Sequence, residues 1–414
     1  MSHAPSGAKS CPFNPYAPDF DTWPYPALEA LRTTAPVMYW EQGQGWIISR
    51  YEDVVTVLRD HQRFSPSQTD WELAGALGTV AVIPELGEAF RTSLIMLSAA
   101  DHSRVRRLVS PAFTPRAVEW LRPEIQALVD EVLDAAATKG TVNLVTDIAE
   151  PIPARVMCSL LKIPPGREVP FQRFTEAVIR SLVTDGIPLE QVEALRRDIR
   201  EGIALVRETI EERRRHPREN DILTTLIQVE EQGDRLSTPE LLSLVAALIV
   251  GGFETTVHLI GFTVANILRR PELFTQLKAE PELVKNAVEE VLRFDNFFKL
   301  GLNRYTREDV ELGGVKIKKG QRLIVMINSA MHDEAAFPHP ETFDVHRNNA
   351  ATVAFGQGTH FCLGASLARL ELRIIVGTLL QRFPDMRLLQ PPTFAPHPGL
   401  RKMETLPVQL LPRS

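Results

Sequence analysis

The stretch from Thr238 to about Leu268 constrains this fold more than any other. Thr238-Pro239 reads as a helix start, with proline in the first turn, where its missing N–H is not needed. The run beyond keeps helical spacing for roughly 45 Å at about 1.5 Å per residue. Leu241 to Phe253 carries no charge and is apolar on nearly every face, so other elements must wrap this helix. A chain built round such a helix is mainly α. Yet the same run contains Gly251-Gly252 and Glu254-Thr255-Thr256. Each glycine costs about 1 kcal/mol relative to alanine in a helix interior, and buried polar groups need partners. The pattern predicts that something approaches the helix backbone closely there. A kink with a threonine bonded to the carbonyl four residues back is the plainer alternative.

A second stretch, Phe355-Gly-Gln-Gly-Thr-His-Phe-Cys362-Leu-Gly364, holds one of only three cysteines. An apolar run at helical spacing follows from Ala365, so Cys362 is expected where a loop enters a helix. A thiolate gains there from the helix dipole and free N–H groups, and Gly358 and Gly364 would leave room for a large flat ligand. One soft anionic ligand points to iron, whereas a lone cysteine is otherwise most often a small core residue.

Phe355, Gly358, Cys362 and Gly364 match Phe-x-x-Gly-x-x-x-Cys-x-Gly, and this loop resembles the haem-binding loop of cytochrome P450. His360 resembles the soluble bacterial branch. Gly251-Gly252-Phe-Glu254-Thr255-Thr256 is similar to that family's distal-helix signature. The resemblance implies a mainly α cytochrome P450 fold with a minor β region, binding heme b (iron protoporphyrin IX) through Cys362. It also implies that Thr255 holds dioxygen and a water while Glu254 relays protons inward. His102 and Arg106 match its His-x-x-x-Arg and, with Arg304, would meet the haem propionates, while His360 would also contact the cofactor. Phe355, Gly251 and Gly364 would border the cofactor. Val250, Leu300, Leu302 and Leu400 would face substrate. Glu290 and Arg293 match Glu-x-x-Arg, with Arg347 completing a structural rather than catalytic ion network.

The reaction implied is insertion of one oxygen atom from O2 into a lipophilic small molecule, by hydroxylation or epoxidation. Electrons would come from a ferredoxin and ferredoxin reductase, since no flavin or nicotinamide module is evident. A hydrogen-peroxide-driven peroxygenase and a non-catalytic haem-thiolate sensor are the alternatives. Around Leu292-Arg-Phe-Asp-Asn the chain is similar to myxobacterial P450s that tailor polyketide macrolides. That suggests a macrolide or a fatty acid as substrate and a place in secondary metabolism. Arg104, Arg107 and Arg369 are candidate docking cations for the electron donor, although the first two also read as a solvated basic face.

The 414 residues carry a net charge of −6, which argues against nucleic-acid or anionic-membrane partners. Cys11, Cys158 and Cys362 are too few and dispersed for a disulfide framework, and Cys158 lies on an apolar helix face. The uncharged run of Leu241 to Phe253 falls short of the roughly 20 residues that span a bilayer, and the first ten residues lack a signal-peptide core. We expect a cytoplasmic, monomeric, single-domain protein, with residues 1–23 an extended arm over its surface. Helices are expected at 25–32, 51–60, from an Asp101 N-cap, and from Thr114 to 137. Further helices follow at 147–161, 168–182, 189–214 and 221–231, with strands at 37–40, 46–50, 323–327 and near Val310 and Val315. Arg213-Arg214-Arg215 reads as a basic helix end complementing the dipole. His332, His339 and His346 recur every seven residues, unlike the three- or four-residue spacing of helical metal sites.

Overall fold

The computed structural model describes residues 13–77, 83–90, 92–94, 97, 99–163, 168–181, 189–219, 221–231, 234–397 and 399–411. Cys11, the first twelve residues of the expected arm and Leu182 lie outside them. The chain forms two compact units built from separated segments. The first takes Met1–Gly78, Glu289–Cys362 and Phe394–Lys402; the second takes Thr79–Val288, Leu363–Thr393 and Met403–Ser414.

In the first unit a five-stranded sheet runs in the order Val37–Trp40, Gly45–Ile48, Arg322–Val325, Leu302–Thr306, Phe64–Ser65. Only Gly45–Ile48 and Arg322–Val325 pair in parallel, with Leu323 opposite Trp46. Leu323 also faces Arg304 across the next, antiparallel pair. Tyr25, Leu28 and Leu31 from helix Tyr25–Thr34 pack with Met38, Trp40, Ile47 and Ile324. Phe13 and Phe20 join that core, their rings edge to face at 5.7 Å. Residues 13–23 are therefore not an extended surface arm. They form successive turns, because two aromatic side chains gain more from burial than from solvent.

One buried and one partly buried ion pair fasten this region. Arg401 meets Asp295 at 2.6 Å and donates to the Asp21 and Thr22 carbonyls, while Lys299 meets Asp21 at 2.6 Å. His332 is buried with its ring stacked on Tyr25 and its Nε2 2.9 Å from the Phe294 carbonyl. Burial drives its pKa down to about 3. His339 and His346 are exposed.

The second unit is organised round helix Thr238–Leu268. Helices Pro151–Leu160, Glu168–Ser181, Leu189–Arg215 and Ala365–Arg382 pack on it. Its N-cap is Ser237, one residue earlier than Thr238-Pro239 suggested, in a capping box with Glu240. This helix is long and apolar enough to cross a membrane, which counting only its uncharged run had concealed, and most of that stretch is buried inside the unit. Cys158 is buried.

Three local expectations need correction. Asp101 lies in the first turn of helix Ala99–Val109 rather than capping it. Thr114 does cap, accepting from the Ala117 N–H, but the run to Ala137 is split into Pro115–Val118, a tight turn and Arg122–Ala137. Arg213 is no solvated helix-end cation: it is buried and ion-paired with buried Asp221. A guanidinium in the interior needs such a partner.

Candidate functional site

In the first unit the cysteine loop is a backbone construction. The Cys362 N–H donates to the Phe355 carbonyl at 2.9 Å. Gly356 and Gly358 stand at φ +71° and +72°, in the left-handed region that glycine enters without strain. Cys362 is exposed, and helix Ala365–Arg382 follows with Gly364 as its N-cap.

The two glycines assigned to ligand space divide. A side chain at Gly364 would meet nothing within 4 Å, but one at Gly358 would lie 2.7 Å from the Leu58 carbonyl. Gly358 therefore lets the loop close on the protein, not on a ligand. Gly358→Ala should combine left-handed strain with overpacking, costing roughly 2–4 kcal/mol. A lower denaturant midpoint for the purified variant checks this.

Arg304, on strand Leu302–Thr306, is buried at 8% exposure. Its Nη1 donates to the Asn303 carbonyl at 2.8 Å, and no carboxylate among the described residues pairs with it. Burial lowers its pKa to about 10, so it stays cationic at neutral pH and is short of an anion.

The segment 297–300 runs beside 399–401. The Lys299 N–H donates to the Gly399 carbonyl at 2.9 Å, and Phe298 bridges to Leu400. Leu300 is half-buried and packs against the sheet's core cluster. Leu302 is half-buried and Leu400 buried. Phe355 and His360 are half-buried.

Glu290 and Arg293, from helix Val284–Phe294, are fully buried. Arg293 Nη2 and Nε reach the two Glu290 oxygens at 2.7 and 3.0 Å. Its remaining donors go to the carbonyls of Met331, Pro340 and Thr342. Arg347 Nε, the Asp344 N–H and Asn349 Nδ2 complete the carboxylate's shell at 3.2, 3.1 and 3.1 Å.

In the second unit, Val250, Gly251, Glu254 and Thr255 lie within two turns of the central helix. Gly251 is exposed and a side chain there would meet nothing within 4 Å, while Met157 Sδ occupies the space beside Gly252. The close approach expected at this glycine pair is thus partly a methionine side chain. Thr255 Oγ1 donates to the Gly251 carbonyl at 2.6 Å. Glu254 is buried, with His258 Nε2 3.7 Å from its Oε1. Val250 is half-buried.

His102 is buried and Arg106 half-buried on helix Ala99–Val109. Arg104 is half-buried, and Asp234 at 3.1 Å and Glu240 already pair its charge, which weakens it as a docking cation. Arg107 is exposed and Arg369 half-buried.

Sequence reading passed over His258, although its i,i+4 spacing from Glu254 was visible. It also passed over Glu371 on helix Ala365–Arg382, whose carboxyl is pushed well above the usual range by burial.

The cytochrome P450 family model matches residues 38–387. The epothilone C/D epoxidase of Sorangium cellulosum is 45% identical over 402 residues, covering 97% of this chain and 95% of that protein. The polyketide biosynthesis cytochrome P450 PksS of Bacillus subtilis (strain 168) is 32% identical over 409 residues, covering 96% and 98%. The solved structure of epothilone B-bound cytochrome P450epoK matches with a TM-score of 0.92 at 44% identity, covering 97% of this chain and 100% of that one. The expected mainly α fold with a minor sheet region holds, as does the expected likeness to an epothilone epoxidase, and this chain belongs to the cytochrome P450 monooxygenase family.

Proposed function

We propose that this protein is a haem-thiolate monooxygenase that inserts one oxygen atom from O2 into a bulky lipophilic molecule of the polyketide macrolide class. The observation that carries the cofactor assignment is Arg304, a buried cation without a carboxylate partner among the described residues, as an anionic propionate would require. A side chain at Gly251 or at Gly364 would meet nothing within 4 Å, and the Cys362 thiol is exposed, as a sulfur that is to bind iron must be. Thiolate-ligated haem supplies the chemistry that favours O–O cleavage.

The roles of the chain's own residues follow from their chemistry. Cys362 supplies the sulfur ligand. Arg304, His102 and Arg106 would serve the propionates, and Phe355 and His360 would border the cofactor. Val250, Leu300, Leu302 and Leu400 offer apolar surface to substrate. With the cofactor bound, Thr255 would hold a proton at Oγ1 for the oxygen substrate, and Glu254 would return one to it. In this structure the Thr255 hydroxyl donates to the carbonyl of Gly251 four residues back, the bond of the plainer alternative, and it must leave that bond to serve this role. Glu290, Arg293 and Arg347 hold the first unit together and take no part in chemistry. Two electrons come from a ferredoxin served by its reductase, and the enzyme works as a cytoplasmic monomer.

The similarity to the epothilone epoxidase supports a macrolide over a fatty acid. A spin-state titration against macrolides, fatty acids and terpenoids tests this: a shift saturating only with macrolides is expected, and saturation only by fatty acids would overturn it. Thr255→Ala should keep consuming reducing equivalents while product falls on the order of a hundredfold and peroxide rises. Unchanged coupling of electrons to product would remove Thr255 from the mechanism.

A further inference from the structure

The central helix carries a second buried polar side chain one turn beyond Glu254. His258 is 2% exposed and Glu254 7%, with Nε2 and Oε1 3.7 Å apart. A carboxylate this buried needs a cation beside it or a proton on it. An i,i+4 pair with the acid on the N-terminal side is the favourable order. The separation lies within ion-pair range but beyond a hydrogen bond, so a small side-chain rotation makes or breaks direct contact. Such a pair holds one proton in common, as imidazolium with carboxylate or as neutral imidazole with carboxylic acid.

We infer that His258 is a positioning residue for Glu254, keeping a proton beside the carboxyl and replacing it each time Glu254 gives one up toward Thr255. The inference rests on the role proposed above for Glu254. The relay balances without electron transfer. With the shared proton on Glu254, its O–H releases that proton toward Thr255 and leaves a carboxylate beside neutral imidazole. His258 then takes a proton from solvent and passes its Nε2 proton to the carboxylate, restoring the one-proton pair.

The test uses the full-length, haem-loaded protein and the variants His258→Phe, His258→Gln and Glu254→Gln. Infrared difference spectra with ¹³C-labelled glutamate at neutral pH follow the C=O stretch of a protonated Glu254, assigned by its loss in Glu254→Gln. Without the imidazole the carboxyl should keep a proton, so that band should grow in His258→Phe and vanish when Glu254→Gln is added. Coupling of electrons to product should fall several-fold in His258→Phe. His258→Gln, which can donate a hydrogen bond but cannot exchange a proton, should match wild type in thermal unfolding yet fail to restore coupling. If His258→Phe does not fold, His258→Gln carries both readouts.

An unchanged carboxyl band with unchanged coupling in the His258 variants, while Glu254→Gln is uncoupled, overturns the inference alone. Restored coupling in His258→Gln also overturns it, by reducing His258 to a structural donor. Wild-type coupling in Glu254→Gln overturns the Glu254 role and the inference with it, so the two failures are distinguishable.

Discussion

Cys362→Ser should yield a folded protein whose reduced, carbon-monoxide-treated form lacks the red-shifted thiolate absorption band and whose turnover falls on the order of a thousandfold. A loss of that size needs only about 4 kcal/mol of barrier stabilisation. Serine nearly preserves the shape, but its hydroxyl is far less acidic than a thiol, whose ordinary pKa is about 8.5. It therefore gives up the electron-rich anion that the chemistry requires. The loop itself should survive. Its closure rests on the Cys362 N–H to Phe355 carbonyl bond and on the left-handed Gly356 and Gly358, none of which involves sulfur. Cys362 is exposed, so its substitution should cost within about 1 kcal/mol of stability. Carbon-monoxide difference spectra, turnover and a denaturation curve on one preparation separate the two effects. A serine variant that keeps both band and turnover would mean that Cys362 is not the ligand.

What was legible in the sequence follows a physical pattern. Helices declared themselves where the apolar period was long and the cap chemistry strong, as at Thr238–Leu268 and Thr114-Pro115. The cysteine loop was legible because it needs glycines at fixed offsets. Even so, only the fold shows that Gly358 serves backbone closure against Leu58 and Gly364 faces open space. Charges were the least legible. Arg104, Arg213 and Arg401 look like surface cations in the sequence, yet Asp234 and Glu240, Asp221, and Asp295 claim them. For Arg104 and Arg401 those partners lie more than a hundred residues away. The same holds for the N-terminal turns, where Asp21 is tied to Lys299 and Arg401. Local sequence fixes which residues can ionise, and distant chain decides which of them meet.

The largest effect on stability is expected at Arg293. Its N–H donors go to both oxygens of Glu290 and to the carbonyls of Met331, Pro340 and Thr342, and the guanidinium lies over the rings of Phe294 and Phe337. Removing one partner of a buried pair costs roughly 3–5 kcal/mol, because the other charge stays behind without compensation. A typical protein has only about 5–15 kcal/mol in all. Arg293→Ala should therefore lower the urea midpoint severely or prevent accumulation of folded protein. Arg293→Lys should recover only part of the loss, since an ammonium cannot reproduce the planar fork that binds both Glu290 oxygens. Arg347→Ala should cost less, because its side chain is 10% exposed and water can replace some of its bonds. A double replacement of Glu290 and Arg293 by leucine discriminates between an unpaired charge and lost carbonyl contacts. If the stranded charge dominates, the double variant should be more stable than either single one. If it is no better, the carbonyls of 331, 340 and 342 are what Arg293 chiefly serves. An Arg293→Ala protein with an unchanged midpoint would contradict both accounts.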